Sequence, residues 1–265
     1  MKSILIVFIC HTNEILEKII QDYPTATFFF VGNEEIDEKY RQNPNIIISR
    51  ELPENIEDKS KFLTFTAWYA ISKNRLFLEY EYICLFEYDV SLCPDFESKM
   101  TEMISQQNDI RYDVFSFSKL KRFFFWDINP KLFYPYLEKK KVWYDILNLW
   151  YDSTNQCIRR ELLDEFVDWY YPSCLFFWYL DRKMVSWYHE RLFSVFLHVL
   201  DKPVYLVNTE HAMIQHIGYS SHCKTMNQKK EPEFPPEIFS EYVQFWDDLS
   251  SDPEVLAKID SYYCI

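Results

Sequence analysis

The chain has 265 residues, 48% of them hydrophobic and 19% aromatic, with 20 Tyr, 23 Phe and 8 Trp; this excludes intrinsic disorder and supplies a sizeable core. It carries only 2 glycines, where average usage gives roughly 19, so a P-loop and a G-x-G-x-x-G dinucleotide fingerprint are both excluded. A formal charge of -13 argues against coating of duplex nucleic acid, since proteins in that role usually carry net positive charge to displace counterions.

In chain order, Ile4 to Cys10 is a continuous apolar run rich in β-branched residues and predicts a buried parallel strand ending at His11-Thr12-Asn13. Thr12 or Asn13 can cap a helix from Glu14 to Tyr23, whose Ile15, Leu16, Ile19 and Ile20 recur at helical spacing, and Pro24 stops it. Thr27 to Val31 is a second strand closed by Gly32-Asn33, and Asn45 to Ser49 a third. This β-α-β-β order predicts an α/β sheet with a ligand crevice at the strand C-termini. Lys59 to Leu76 is a helix with Phe62, Phe65, Trp68 and Tyr69 on its apolar face, followed by a buried strand from Tyr82 to Phe86.

Further on, the pattern predicts a helix at Asp95 to Gln106, a strand at Val114 to Ser118, helices at Arg159 to Tyr171 and Met184 to Leu200, and a late strand at Val204 to Val207. Two tail helices open with proline in the first turn, Pro236 to Leu249 and Pro253 to Tyr262. The aromatic stretch from Phe123 to Leu149 has no clear period. There is no repeat and no linker. The expectation is one α/β domain over 1–265, a Rossmann-type mixed sheet flanked by helices, with a helical C-terminal appendage at 225–265.

The seven cysteines are scattered and form no C-x-x-C, which argues for reduced, buried thiols rather than disulfides or a zinc ribbon. The apolar run at 4–10 is too short to span a membrane and has no small-residue cleavage site. No other stretch reaches membrane length without charges, so a cytoplasmic protein is expected.

The sharpest chemical signal is Phe86-Glu87-Tyr88-Asp89, where two carboxylates leave the end of a buried strand. In extended backbone, residues two apart face the same side, so Glu87 and Asp89 can converge on one point. Paired carboxylates at the open edge of an α/β sheet suit Mg²⁺ or Mn²⁺ that also holds substrate phosphates. The bland alternative is a pair of solvated acids at a strand end. By the crevice rule, Cys10 to Asn13 should line a nucleoside pocket, with Lys73 or Arg75 near the diphosphate.

The order of these features resembles the GT-A glycosyltransferases: a strand-helix-strand start, a helix with Ser72-Lys73-Asn74 near its end, and an apolar strand running into an acid-x-Asp triplet. The resemblance spans roughly residues 1–220. It implies a nucleotide-sugar half at 1–118 and an acceptor half at 119–224. It also implies that Glu87-Tyr88-Asp89 stands where the family's DxD-type triplet holds the divalent metal on the diphosphate. Glu in the first place departs from that pattern and leaves open whether Glu87 touches metal, ribose or water. Thr154 to Arg160 resembles the strand after the metal motif. Glu190-Arg191-Leu192-Phe193-Ser194 resembles a helix of polysaccharide-type glycosyltransferase domains. His11 lies, with Thr12, where the family places residues against the base. His211 or His216 resembles the histidine that completes the metal shell; His216 is preferred because Gly218 allows a turn beside it.

What the resemblance implies is transfer of a sugar from a UDP- or GDP-sugar to a glycan or other hydroxyl, with Mn²⁺ or Mg²⁺ as cofactor. An inverting enzyme needs a carboxylate base on the acceptor side, and Glu190 and Asp181 are the candidates. Glu190 as a partner of Arg191 or an acid in a first helical turn is the structural alternative. The rival function is a glycosyltransferase-like protein without activity that binds carbohydrate or acts as a scaffold. A nucleotidyltransferase usually needs an early glycine-rich loop, which Cys10 to Asn13 does not offer.

Overall fold

Apolar runs that do not alternate bury both faces of a strand, and the first eighty-odd residues build their sheet from such runs. The computed structural model describes residues 2–58, 63–107, 110–117, 119–120, 150–151, 154–179, 188–207 and 213–216. Its elements in order are β1 (Lys2–Cys10), α1 (Asn13–Asp22), β2 (Thr27–Phe30), the short α2 (Glu38–Arg41), β3 (Ile46–Ile48), a 3₁₀ turn (Ser49–Glu51), α3 (Leu63–Lys73), β4 (Tyr80–Glu87), β5 (Val90–Leu92), α4 (Phe96–Ser105) and β6 (Val114–Ser116). There follow β7 (Lys119–Leu120), β8 (Trp150–Tyr151), β9 (Gln156–Arg159), α5 (Arg160–Tyr179), α6 (Tyr188–Val199), β10 (Val204–Leu206) and β11 (Ile214–His216).

Seven strands form one sheet in the order β10-β6-β9-β4-β1-β2-β3. β1 pairs in parallel with both β2 and β4, and β2 with β3. β9 runs antiparallel between β4 and β6, and β10 is parallel to β6. The fold is therefore a mixed, mainly parallel α/β sheet flanked by helices. Because β9 is reversed, its first residues lie at the same edge as the last residues of β4 and β6.

Side chains alternate across a strand, and the core divides accordingly. Val7, Ile9, Phe29, Ile83, Leu85 and Ile158 face α3, α5 and α6, where they meet Phe65, Trp68, Leu162, Phe166, Phe193 and Phe196. Phe8, Phe28, Phe30, Cys84, Phe86 and Phe115 face the opposite side, against Leu16 and Ile19 of α1 and Phe96 and Met100 of α4. Phe166 is fully buried, with the rings of Phe193 and Phe65 at 4.8 and 6.3 Å in edge-to-face contact, a geometry that adds to area burial.

Local chemistry accounts for the boundaries. Thr12 is the N-cap of α1, its Oγ1 accepting the Ile15 N–H at 3.2 Å. Asn13 instead braces the segment after β2: its backbone and side-chain N–H groups reach Glu34 Oε1 at 2.8 Å and its Oδ1 accepts the Asp37 N–H at 2.8 Å. α5 runs through Pro172, where the sequence pattern alone ends the helix at Tyr171. The packed face of Leu162, Leu163, Phe166, Val167 and Tyr170 anchors the helix more strongly than one missing N–H weakens it. The two tail helices, the segment 123–149 and Asp181 lie outside the described residues. Among the described residues, no helix is long and apolar enough to cross a membrane.

Candidate functional site

The site forms where β1, β2, β4 and β9 meet at the edge carrying the parallel strands' C-termini. β4 ends at Glu87, and Tyr88 and Asp89 make the turn into β5. Glu87 is held from two directions. Its backbone N–H donates to Asn155 Oδ1 at 2.9 Å, and its Oε1 accepts from Thr64 Oγ1 at 2.7 Å. Asn155 is buried just ahead of β9 and Thr64 is buried in the first turn of α3, so both partners sit on rigid supports.

Tyr88 lies between the acids. Its ring meets His11 edge to face at 4.9 Å, and its phenol pKa is raised by burial and further by the charges of Asp89 and Glu87. Both carboxylates therefore lie within electrostatic reach of one phenol. Asp89 Oδ1 is shielded from solvent. The half-buried His11 has its pKa lowered by burial, partly offset by the charge of Glu34, which favours the neutral ring.

β11 adds the late segment. It pairs antiparallel with β5, with His216 opposite Val90, Gln215 opposite Ser91 and Ile214 opposite Leu92. The Cys93 N–H donates to the Met213 carbonyl at 3.0 Å, and the Leu92 N–H to the Tyr23 hydroxyl at 2.8 Å. The backbone of His216 thus lies beside the turn that carries Asp89.

The neighbouring wall is built around Gly32, whose φ of 95° is a conformation that side chains other than glycine rarely adopt. Its N–H donates to Glu57 Oε2 at 2.9 Å, and its carbonyl accepts from Arg50. Burial raises the Glu57 pKa; the Ser49 hydroxyl, the Gly32 N–H and the Arg50 charge pull it back in part.

Of the sequence candidates, His11, Thr12, Glu87, Asp89 and the backbone of His216 come together at this edge. The Thr12 hydroxyl is engaged as the α1 cap. Glu190 is the third residue of α6 and follows His189, whose buried ring packs 6.3 Å from Phe65 and 5.8 Å from Trp68 on α3. Phe65 adjoins Thr64, so α6 begins beside the Glu87 end of α3. Lys73 corrects an expectation. It closes α3 at the far end and pairs with Asp168 of α5. Nine residues of helix from Thr64 cover about 13 Å, and α3 runs antiparallel to β4, so Lys73 sits at the opposite edge of the sheet from Glu87. Arg75 lies two residues beyond it, with a φ of 54°, at that same edge.

Thr64, the Glu57–Gly32–Arg50 group and the β5–β11 pairing were not anticipated from sequence. Thr64 leaves no distinct trace there, since the same helix also carries Thr66 and Ser72. Asn155 lay within a segment already singled out, without a role of its own.

The donor set suits a hard divalent ion. Two carboxylates flank one turn, and among the described residues no group of three or more His, Cys, Asp or Glu could enclose a metal. An ion on Glu87 and Asp89 would need further ligands from outside that pair, since hard divalent cations take six or more.

No protein-family model and no curated protein matches the sequence. Among solved structures, the chain is similar to the apo structure of WbbM, a bifunctional glycosyltransferase, with a TM-score of 0.54 at 11% identity over 82% of this chain. The chain spans 46% of that protein's chain, about half its length. This likeness is one of fold: the α/β architecture of the chain is shared with a glycosyltransferase.

Proposed function

We propose that the protein is a metal-dependent glycosyltransferase of GT-A type, moving a sugar from a nucleoside-diphosphate sugar to a hydroxyl of a glycan or similar acceptor. The observation that carries the reading is the pair Glu87 and Asp89, set about one turn at the C-terminal end of a central parallel strand, in a fold shared with a glycosyltransferase. The crevice outside such strand ends is where open α/β sheets bind ligands.

In this reading the nucleoside lies against His11 and Thr12 at the end of β1, and the diphosphate reaches the Glu87–Asp89 turn. Bound Mn²⁺ or Mg²⁺ would offset the charge that develops on the departing diphosphate. His216 supplies a further ligand from β11. Glu190, at the start of α6, accepts the proton of the acceptor hydroxyl as that oxygen attacks the sugar carbon. UDP- and GDP-sugars are the donors to try first.

Calorimetric titration of UDP and GDP with and without Mn²⁺, paired with a nucleotide-sugar hydrolysis screen, tests the reading. Metal-dependent nucleotide binding that Asp89→Asn abolishes, in a variant whose unfolding is unchanged, is the expected result. Equal affinity in Asp89→Asn overturns it. Nucleotide binding without turnover of any donor points instead to a carbohydrate-binding or scaffold protein.

A further inference from the structure

We infer that Thr64 is a positioning residue for this site, holding the Glu87 carboxylate in the orientation that receives the metal and diphosphate; the inference rests on the proposed function. Glu87 is a half-buried side chain at a strand end, with three rotatable bonds to fix. Its backbone is pinned by Asn155 at 2.9 Å, a bond that does not involve the carboxylate. The Thr64 hydroxyl sets its direction, donating to Oε1 at 2.7 Å. Bonds from a hydroxyl to a carboxylate belong to the short, strong class.

The donor itself is well placed to impose an orientation. Thr64 is buried, with a relative exposure of 5%, and as a β-branched residue it has few side-chain rotamers in a helix. Its helix is locked by its neighbours: Phe65 packs on Tyr170 at 4.7 Å and Trp68 on Phe193 at 5.4 Å. A carboxylate has about four acceptor positions, and the Thr64 bond occupies one of them, on Oε1. Partners of this kind fix the geometry of metal-binding carboxylates and tune their affinity.

The test is Mn²⁺ affinity measured by calorimetry, alone and with UDP or GDP, in Thr64→Val and Thr64→Ser. Thr64→Val keeps the shape and removes the donor; Mn²⁺ affinity should fall about 10- to 100-fold. Thr64→Ser restores the hydroxyl and should bind within about threefold of wild type, a rescue that a purely structural role for Thr64 does not produce. If Thr64→Val does not fold, Thr64→Cys is the substitute: its thiol is a weak donor of similar size, and Mn²⁺ affinity should fall to an intermediate level. Wild-type Mn²⁺ affinity in folded Thr64→Val, or in folded Thr64→Cys, while Asp89→Asn loses binding, overturns the inference and leaves the proposed function standing. Absence of Mn²⁺-dependent nucleotide binding in the wild type overturns the proposed function, and this inference with it.

Discussion

His216 lies directly opposite Val90 in the antiparallel pairing of β11 with β5, and Val90 is the residue after Asp89. Directly opposed residues in such a pair have Cα atoms about 4.5–5.5 Å apart. A short two-stranded ribbon therefore ties the last described segment of the chain to the acid turn. His216→Ala should lower Mn²⁺ affinity about tenfold or more, as loss of one ligand does, without changing the unfolding midpoint. Unchanged Mn²⁺ affinity in this variant removes His216 from the metal site.

The start of α6 sits beside the Glu87 end of α3, through the contacts of His189 with Phe65 and Trp68. Glu190→Gln should keep nucleotide affinity and lose about 10²–10⁴-fold in turnover, the usual cost of removing a general base. Steady-state kinetics with the active donor, read beside calorimetry, separates the outcomes. A parallel loss of donor affinity assigns Glu190 to the donor site or to the fold, and unchanged turnover makes Asp181 the better candidate or, failing that, points to a retaining mechanism with no dedicated base.

Lys73 pairs with Asp168 at the opposite edge of the sheet, where both side chains are about a third exposed (32% and 38%). Solvent screening keeps such a pair to about 0–1 kcal/mol. Lys73→Ala should leave donor affinity within about twofold of wild type and cost at most about 1 kcal/mol in urea unfolding. A large loss of nucleotide affinity would return Lys73 to the diphosphate.

Glu57 is a buried acid whose pKa burial raises above its ordinary 4.5, against the partial pull of Ser49, Gly32 and Arg50. A raised folded-state pKa means that the native state binds the proton more tightly than the unfolded chain. Its contribution to stability is full below 4.5 and lost as pH rises through the raised value. Gln at this position keeps an acceptor for the Gly32 N–H and does not titrate. The stability of Glu57→Gln relative to wild type should therefore increase as pH is taken from about 4 to about 7. Urea unfolding of both proteins across that range checks it, and a flat or falling difference contradicts the assignment.

The main strands and helices were legible in the sequence because each is set by local pattern, whereas the short α2, β5 and β11 were not. Ile4 to Cys10 and Tyr82 to Phe86 are unbroken apolar runs, and they became the central strands β1 and β4, buried on both faces. The spacing of Ile15, Leu16, Ile19 and Ile20 marked α1, and Thr12 marked its start. The acid triplet was legible for the same reason, since its two carboxylates are neighbours along one strand end. The sequence by itself thus determined the α/β class, the positions of the main sheet's strands and the presence of paired acids at a strand terminus.

Only the tertiary structure decided which distant residues meet those acids. The Thr64–Glu87 and Asn155–Glu87 bonds cross 23 and 68 positions of chain, and nothing in a local pattern encodes such a meeting. Lys73 shows the converse. Its place near the end of a helix before the acid strand suggested the diphosphate, yet an antiparallel helix about 13 Å long carries it to the other edge of the sheet. The reversed direction of β9, which brings Asn155 to the Glu87 edge, and the pairing of β11 with β5 join segments that lie far apart in the chain. Periodicity reports the face that a residue buries, whereas partner choice depends on the sheet order, and that is settled only when the whole chain has folded.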